Sequence, residues 1–128
     1  MKKIITFIVM AIMAIMLVSC NAKIDNPRVN NLIGTWDLAY TEITYGDGTV
    51  TKTTPTKQSY LVITENEIII GEGNTETKYP FRFDNPHFII DGNIRYDVVS
   101  LTRKELVLTN KWIIPILVSG ENLVYNRR

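Results

Sequence analysis

The feature of this 128-residue chain that most constrains its fold is a hydrophobic alternation of period two, which begins near Leu32. Large apolar side chains alternate with polar ones in the segments Trp36–Tyr40, Tyr79–Phe83, Ile94–Val98, Leu106–Leu108 and Leu123–Tyr125. Successive side chains of a strand point to opposite faces of its sheet, so this pattern is typical of strands with one buried and one solvated face. We therefore predict an all-β domain.

Turn-forming residues separate these segments at intervals of about 8–12 residues, a spacing typical of sandwiches and barrels. The clearest turns are Gly46-Asp47-Gly48, Gly71-Glu72-Gly73-Asn74, Asp84-Asn85-Pro86, Asp91-Gly92-Asn93 and Gly120-Glu121. Links this short force consecutive strands to pair antiparallel, because a parallel return needs a long crossover. The sequence thus predicts an antiparallel up-and-down meander of about eight strands that closes into a β-barrel and so removes its open edges.

The residues that precede this domain have the layout of an export signal. Lys2 and Lys3 are followed by the uncharged run Ile4–Val18 and then by Ser19 and Cys20. As a helix this run would be about 22 Å long, which is short of the roughly 30 Å hydrocarbon core of a bilayer. A cleaved secretory signal is therefore favoured over a permanent membrane span.

The end of the run, Leu17-Val18-Ser19-Cys20, resembles the bacterial lipobox. This resemblance implies acylation of the Cys20 sulfur and cleavage before it, whereas the alternative is an ordinary signal with a chance cysteine. We therefore expect a lipoprotein signal peptide (residues 1–19), a lipidated tether (20–31) and a barrel domain (32–128). The protein would be anchored in the cell envelope, at the outer membrane, with its periplasmic or surface orientation left open. Cys20 is the chain's single cysteine, so an intrachain disulfide is excluded.

The charge balance argues against nucleic acid as a partner. The chain has 14 Lys+Arg and 13 Asp+Glu, and loss of Lys2 and Lys3 with the leader brings the two signs close to equality. Proteins that bind nucleic acid depend on clustered positive charge, and no basic run is present.

The first predicted strand contains Gly34-x-Trp36, which resembles the opening motif of lipocalins and of the small lipocalin-like lipoproteins of Bacteroidetes. Further segments fit the latter family, from Tyr60–Ile63 and Leu101–Leu108 to the final Tyr125-x-Arg127. The resemblance implies that Trp36 plugs the closed end of the barrel and that Arg127 packs over its ring as a cation–π pair. The second lipocalin motif and the C-terminal helix of true lipocalins are not recognisable here.

Residue types that could support catalysis or metal binding occur singly or in turns. His87 is the only histidine and cannot form a His-rich metal site. Ser59, Ser100 and Ser119 lack a nucleophile motif, and the carboxylate pairs Glu65/Glu67 and Glu72/Glu76 lie at predicted hairpin ends, where they would be solvated. Asp47 is better explained by its turn than by Ca²⁺, which needs six or more oxygens. We expect no catalytic residues, no metal and no cofactor, with a hydrolase as a distant alternative.

The barrel interior is the most suggestive place for a function. The residues expected to face it, as core or as the lining of a cavity, are Trp36, Leu38, Tyr40, Tyr79, Phe81, Phe83, Tyr96, Leu106, Leu108 and Tyr125. An eight-stranded barrel is at the size where side chains fill the interior or leave room for one small ligand. Both alternatives stay open from the sequence, with a filled interior somewhat favoured.

Two further segments allow more than one interpretation. Thr49–Gln58, between the first two predicted strands, is either a solvated loop or a lid over the barrel. Trp112–Val118 is an apolar run in which Pro115 disfavours a central strand, so it is an edge strand, a bulged closing strand or a contact surface.

From these observations we expect a membrane-anchored, non-enzymatic, lipocalin-like lipoprotein that binds a small apolar ligand or a protein partner in the envelope. The alternative is a filled barrel that acts as an interaction or inhibitor module.

Overall fold

The computed structural model of the protein describes residues 22–110 and 118–128. The predicted signal peptide (residues 1–19), the predicted acylation site Cys20 and most of the run Trp112–Val118 lie outside these residues. No helix in the two described ranges has the length and apolar character that a membrane span requires.

The described part of the chain is almost entirely β-strand. Its elements are α1 (Val29–Leu32), β1 (Gly34–Tyr45), β2 (Val50–Thr53), β3 (Ser59–Ile63), β4 (Glu67–Glu72), β5 (Thr75–Asp84), β6 (His87–Ile90), β7 (Ile94–Leu101), β8 (Glu105–Asn110) and β9 (Val118–Arg127).

The strands form one antiparallel sheet that closes on itself. Their order is β2-β1-β3-β4-β5-β6-β7-β8-β9, and β1 also pairs with β9 from Trp36↔Arg127 to Tyr45↔Val118. Eight strands therefore complete a barrel, while β2 is an additional strand that pairs with β1. This arrangement confirms the predicted all-β meander and its closure.

Several turns use the residues that the sequence marks for them, whereas Gly120-Glu121, predicted as a turn, lies within β9. The three residues Asp91-Gly92-Asn93 connect β6 to β7, and the Asn93 backbone N–H donates to the Ile90 carbonyl at 3.2 Å. Asp91 has φ 54° and Gly92 has φ 73°, a left-handed backbone that Asp and Gly tolerate in tight turns. Between β1 and β2, the Asp47 carboxylate accepts a hydrogen bond from the Thr49 backbone N–H at 2.9 Å. This bond lowers the pKa of Asp47, because it stabilises the charged form.

The interpretation of Thr49–Gln58 as a loop or lid is wrong for part of that segment. Val50–Thr53 forms β2 and pairs with β1 from Thr44↔Val50 to Thr41↔Thr53. All four residues of β2 are exposed, so neither face carries the apolar alternation by which a strand is recognised in a sequence. The position of β2 is set instead by backbone pairing with residues 41–44 of β1.

The two ends of the barrel differ in how they are filled. We call the end formed by the start of β1 and the β3–β4, β5–β6 and β7–β8 turns the base, and the opposite end the mouth. The least exposed side chains lie near the base: Leu32, Trp36, Ile63, Ile68, Phe88, Leu101 and Leu106, each at most 1% exposed. The hydrophobic core therefore occupies the base half of the barrel.

A β-bulge in β1 changes which side chains face the interior. Leu38 pairs with Tyr125 and Tyr40 pairs with Val124, so β1 has one extra residue at Ala39. One added residue reverses the alternation beyond it. The prediction that Tyr40 faces the interior is therefore wrong: it is outside the core cluster, and the Lys52 ammonium lies 4.7 Å from the centroid of its ring.

The residues before β1 belong to the folded domain. The Ile24 backbone N–H donates to the Leu101 carbonyl at 2.7 Å, and the Ile24 side chain packs against the core. Leu32, at the end of α1, is fully buried. The segment predicted as a lipidated tether (20–31) therefore contacts the barrel at Ile24, while its lipidation stays a prediction.

Candidate functional site

The predicted pair at the base, Trp36 and Arg127, is in contact. Trp36 is fully buried, and its indole N–H donates to the Leu32 carbonyl at 2.8 Å. The Arg127 guanidinium carbon lies 4.1 Å from the centroid of the Trp36 ring, within the roughly 6 Å range of a cation–π interaction. The register Trp36↔Arg127 produces this contact, since residues paired across two strands share a face.

Arg127 also ties together three segments of the chain. Its guanidinium donates to the carbonyls of Arg103 at 2.7 Å, Ile33 at 2.8 Å and Asn31 at 2.9 Å. Burial lowers the pKa of Arg127, but an arginine side chain stays charged in proteins. The charged Arg127 guanidinium therefore joins these segments across the base, and its N–H donors are occupied by backbone carbonyls. We call Arg127 with these contacts the clasp.

Gly34 makes room for this clasp. Its φ is +143°, and a Cβ atom at this position would lie 2.7 Å from the Arg127 Nη1 atom. In the motif Gly34-x-Trp36, the Trp36 ring thus packs against the Arg127 guanidinium, and Gly34 lets that guanidinium approach the backbone. Both residues serve closure of the base.

The predicted interior residues other than Tyr40 belong to the core or pack against it. Phe81 and Phe88 stack with ring centroids 4.8 Å apart, and Phe83 lies 6.1 Å from Phe88. The remaining members are the buried residues Leu106, Leu108 and Tyr125 and the partly buried residues Leu38, Tyr79 and Tyr96. The sequence leaves open whether side chains fill the barrel interior or leave a cavity for a small ligand. In the base half of the interior, side chains fill the space.

A cavity opens at the mouth between β4 and β5. Its volume is about 280 Å³, and its lining includes Ile70, Glu72, Thr75, Thr77 and Lys57. Ile70 pairs with Thr77 and Glu72 pairs with Thr75, so the four strand residues share the face that Ile68 buries deeper in the barrel. An apolar floor at Ile70 is thus surrounded by two hydroxyls, one carboxylate and one ammonium.

Tyr96, Tyr125 and Glu121 lie on the inner face of the barrel, with Tyr125 beside Leu106 in the base half and Glu121 towards the mouth. Glu121 alternates with Leu123 and Tyr125 on β9, which places the three on one face. Burial raises the pKa of Tyr125, and the charges of Tyr96 and Glu121 add to this shift. Burial also raises the pKa of Tyr96, with a further contribution from Glu121. The prediction of a turn at Gly120-Glu121 is wrong, because both residues lie within β9, where the alternation with Leu123 and Tyr125 turns Glu121 inward.

The acid and base candidates from the sequence do not share a cavity in the described parts of the chain. Glu72 faces the mouth, while Glu76 is on the outer face and accepts a hydrogen bond from the Tyr60 hydroxyl. Glu67 pairs with Lys78 at 3.4 Å on the outer surface. Glu76 pairs with Gly71, the residue before Glu72, so Glu72 and Glu76 lie on opposite faces of the sheet.

His87 lies on the outer face of the barrel near the base. Its Nδ1 atom is 2.9 Å from the Asp97 carboxylate, and Arg95 donates to the same oxygen at 3.2 Å. Ser59 is at the mouth end of β3, where its hydroxyl donates to the Lys57 carbonyl at 3.4 Å. The histidine and this serine therefore lie at opposite ends of the barrel. Within residues 22–110 and 118–128, no three of the side chains of His, Cys, Asp and Glu are grouped as metal ligands would be.

Known proteins offer little resemblance to this chain. No protein-family model matches the chain, and a search of curated proteins finds no match. Among solved structures, the chain is similar to a protein of unknown function from the DUF3598 family of Nostoc punctiforme, with 12% sequence identity and a TM-score of 0.43. The alignment covers 83% of this chain and 51% of that one, so the chain spans about half the length of that neighbour.

Proposed function

We propose that the protein is a lipid-anchored, non-enzymatic barrel of the cell envelope that binds one small ligand at its mouth. The observation that carries this proposal is the cavity of about 280 Å³ above a filled base. Ligand sites in proteins usually measure about 300–1,000 Å³, so this cavity lies just below that range and suits a small ligand.

The lining defines the chemistry of the ligand. Ile70 offers apolar surface at the floor, whereas Thr75, Thr77, Glu72 and Lys57 offer hydrogen-bond donors, acceptors and both signs of charge at the rim. Such a site favours a molecule whose apolar part points into the barrel and whose polar end remains at the rim. The ligand expected from the sequence, a small apolar molecule, is refined here to one with a polar end.

Attachment to the membrane rests on the sequence of the leader. Cys20 follows an apolar run that ends in a lipobox-like motif, and it is the only cysteine of the chain. Replacement of Cys20 by Ala should release the protein from membranes and abolish labelling with acyl-chain precursors. Unchanged membrane fractionation of this variant would contradict the anchor.

A second candidate function is protein interaction at β2. This strand ends the sheet order, so its outer edge has no strand partner in the described residues and could receive an added strand from another protein. Val50 in β2 is 50% exposed and Tyr45 beside it is 37% exposed. In that case replacement of Val50 by Lys should abolish capture of the partner from envelope extracts, since charge on an edge strand opposes pairing.

Two neighbouring isoleucines allow a matched test of the mouth site. Ile70 faces the cavity, whereas Ile69 pairs with Lys78 on the outer face of the same strands. We expect native mass spectrometry to detect a bound small molecule in the wild type purified from its own host, and we expect Ile70→Trp to fill the cavity and to lose this molecule. The control variant Ile69→Trp should retain it. Equal content in the wild type and Ile70→Trp, or no bound molecule in any of the three, would refute the proposed site.

A further inference from the structure

The attachment of Ile24 to the base restricts how far the barrel can be from a lipid on Cys20. Ile24 is fixed by its hydrogen bond to Leu101 and by packing against the core. Four residue steps separate it from Cys20, and a fully extended chain spans at most about 3.5 Å per residue, or about 14 Å here. If the chain were held only from the start of β1, the same estimate would allow about 50 Å between Cys20 and the barrel.

We infer that the base of the barrel rests on the membrane surface and that its mouth points away from the bilayer, an inference that depends on the proposed acylation of Cys20. The surface that would contact lipid is the base around Ile24, and its occupant is the layer of anionic phospholipid headgroups. The cavity at the mouth would then exchange its ligand with the aqueous phase rather than with the bilayer.

The charges on the base agree with an anionic lipid surface. Exposed cations surround the point at which the chain leaves towards Cys20: Lys23, Arg28, Arg103 and Lys104. The exposed carboxylates in the same region are Asp25, Glu105 and Asp84, whose neighbour Asn85 lines the same groove as Lys23 and Ile24. Arg128 is paired with Asp37 at 2.7 Å. Cations therefore outnumber carboxylates beside the exit of the chain.

The opposite half of the base has the other sign. The β3–β4 turn carries Glu65, and β4 begins at Glu67, which pairs with Lys78. Headgroup charge acts over roughly one Debye length, about 10 Å at 0.1 M salt. An anionic surface would therefore attract the half that adjoins the anchor and repel the far half, which gives the barrel one preferred tilt.

Two asparagines make this orientation measurable in the lipidated full-length protein. Asn126 is exposed near the base, and Asn74 is in the β4–β5 turn at the mouth. The ten residues of β5 span about 33 Å along the strand, which at a barrel tilt of about 40° separates the two ends by about 25 Å. Because Cys20 is the only native cysteine and would be acylated, a cysteine introduced at either position can be labelled selectively.

The experiment compares Asn126→Cys with Asn74→Cys, each carrying a fluorophore, on vesicles of phosphatidylglycerol and phosphatidylcholine that contain headgroup-quencher lipids. We expect severalfold stronger quenching at position 126 than at position 74. Equal quenching, or stronger quenching at the mouth, would overturn the inference.

A pair of charge reversals tests the role of the basic patch. Lys104→Glu at the base should reduce the difference in quenching on vesicles that contain phosphatidylglycerol, and added salt should reduce it in the wild type. Lys52→Glu on β2 makes the same change at the mouth end and should have no effect. If Lys104→Glu behaves like Lys52→Glu, headgroup charge does not orient the barrel.

Cosedimentation with the vesicles separates this inference from the proposed function. A lipidated protein that cosediments but shows equal quenching retains its anchor and lacks a fixed orientation. A protein that does not cosediment contradicts both the anchor and the orientation. Binding of a small molecule at the mouth is measured in a separate experiment, so neither cosedimentation result tests it.

Discussion

Replacement of Arg127 by methionine tests whether the charged clasp holds the base of the barrel together. The variant keeps an unbranched side chain over Trp36 but loses the cation and three hydrogen bonds to backbone carbonyls. The cation–π contact contributes about 1 kcal/mol. Hydrogen bonds from a charged donor contribute about 1.5–3 kcal/mol each when buried, and we take about 2 kcal/mol for all three because the group is partly exposed and methionine restores some packing. The expected loss in the free energy of unfolding is thus about 3 kcal/mol, or more than about 100-fold in the unfolding equilibrium constant.

The neighbouring Arg128 provides the control for this experiment. It pairs with Asp37 at 2.7 Å and lies over the Tyr60 ring at 5.2 Å, but it is exposed, and exposed ion pairs contribute little to stability. Urea denaturation followed by tryptophan fluorescence should therefore show a large shift for Arg127→Met and a small one for Arg128→Met. Arg127→Lys should not recover the wild-type value, because a single ammonium cannot reproduce the guanidinium fork. Equal shifts in the two methionine variants, or full recovery with lysine, would refute the assignment of the clasp.

Three further predictions follow from the interior. Gly34→Ala should lower the free energy of unfolding by about 1–3 kcal/mol through backbone strain, because its φ is +143° and the new methyl group would meet Arg127; a neutral result in urea denaturation would contradict the packing at the base. Phe88→Ala should cost about 3–5 kcal/mol, since its ring is 1% exposed and stacks on Phe81; the same denaturation assay measures this, and a loss below about 1 kcal/mol would show that the base half is loosely packed. Burial raises the pKa of Tyr125 above that of the unfolded chain, so the folded state holds the phenol proton more tightly. The resulting stability is complete below about pH 10 and is lost as the pH rises further. Denaturation between about pH 9 and about pH 12 should show a steeper loss for the wild type than for Tyr125→Phe, and identical slopes would refute this linkage.

The parts of the fold that follow from side-chain alternation could be predicted from the sequence. Strands such as β5 and β8 carry one apolar face, and Asp91-Gly92 between β6 and β7 is a turn that few other residue pairs can form. The sequential antiparallel order follows from the short links. The closure of the barrel follows from the advantage of pairing the outer strands.

Features decided by the backbone or by distant parts of the chain could not be predicted. The bulge at Ala39 leaves no mark in the residue pattern, because Leu38 and Tyr40 continue the alternation that the extra residue breaks. β2 is exposed on both faces, so no hydrophobic pattern identifies it. In the sequence, Ile24 is one apolar residue in a polar segment, and its role depends on Leu101 at the end of β7.

The candidate site shows the same division. The core side chains were predicted by their size and period, whereas the mouth cavity depends on Thr75 and Thr77, which look like ordinary polar strand residues. They become a site only because β5 turns them inward above Ile70. The sequence does not distinguish a polar residue that lines the interior, such as Thr77, from a polar residue at a solvated end of the same strand.

The clasp at the base also has a consequence for the order of folding. Arg127 donates to the Ile33 carbonyl across a sequence separation of 94 residues, and contacts so far apart form slowly because a long loop must first be closed. The Trp36 ring is therefore covered only after Arg127 has paired with β1. A polypeptide that is threaded through a translocation channel from its N-terminus would stay unclosed until β9 had emerged, which keeps it in the extended state that such a channel requires.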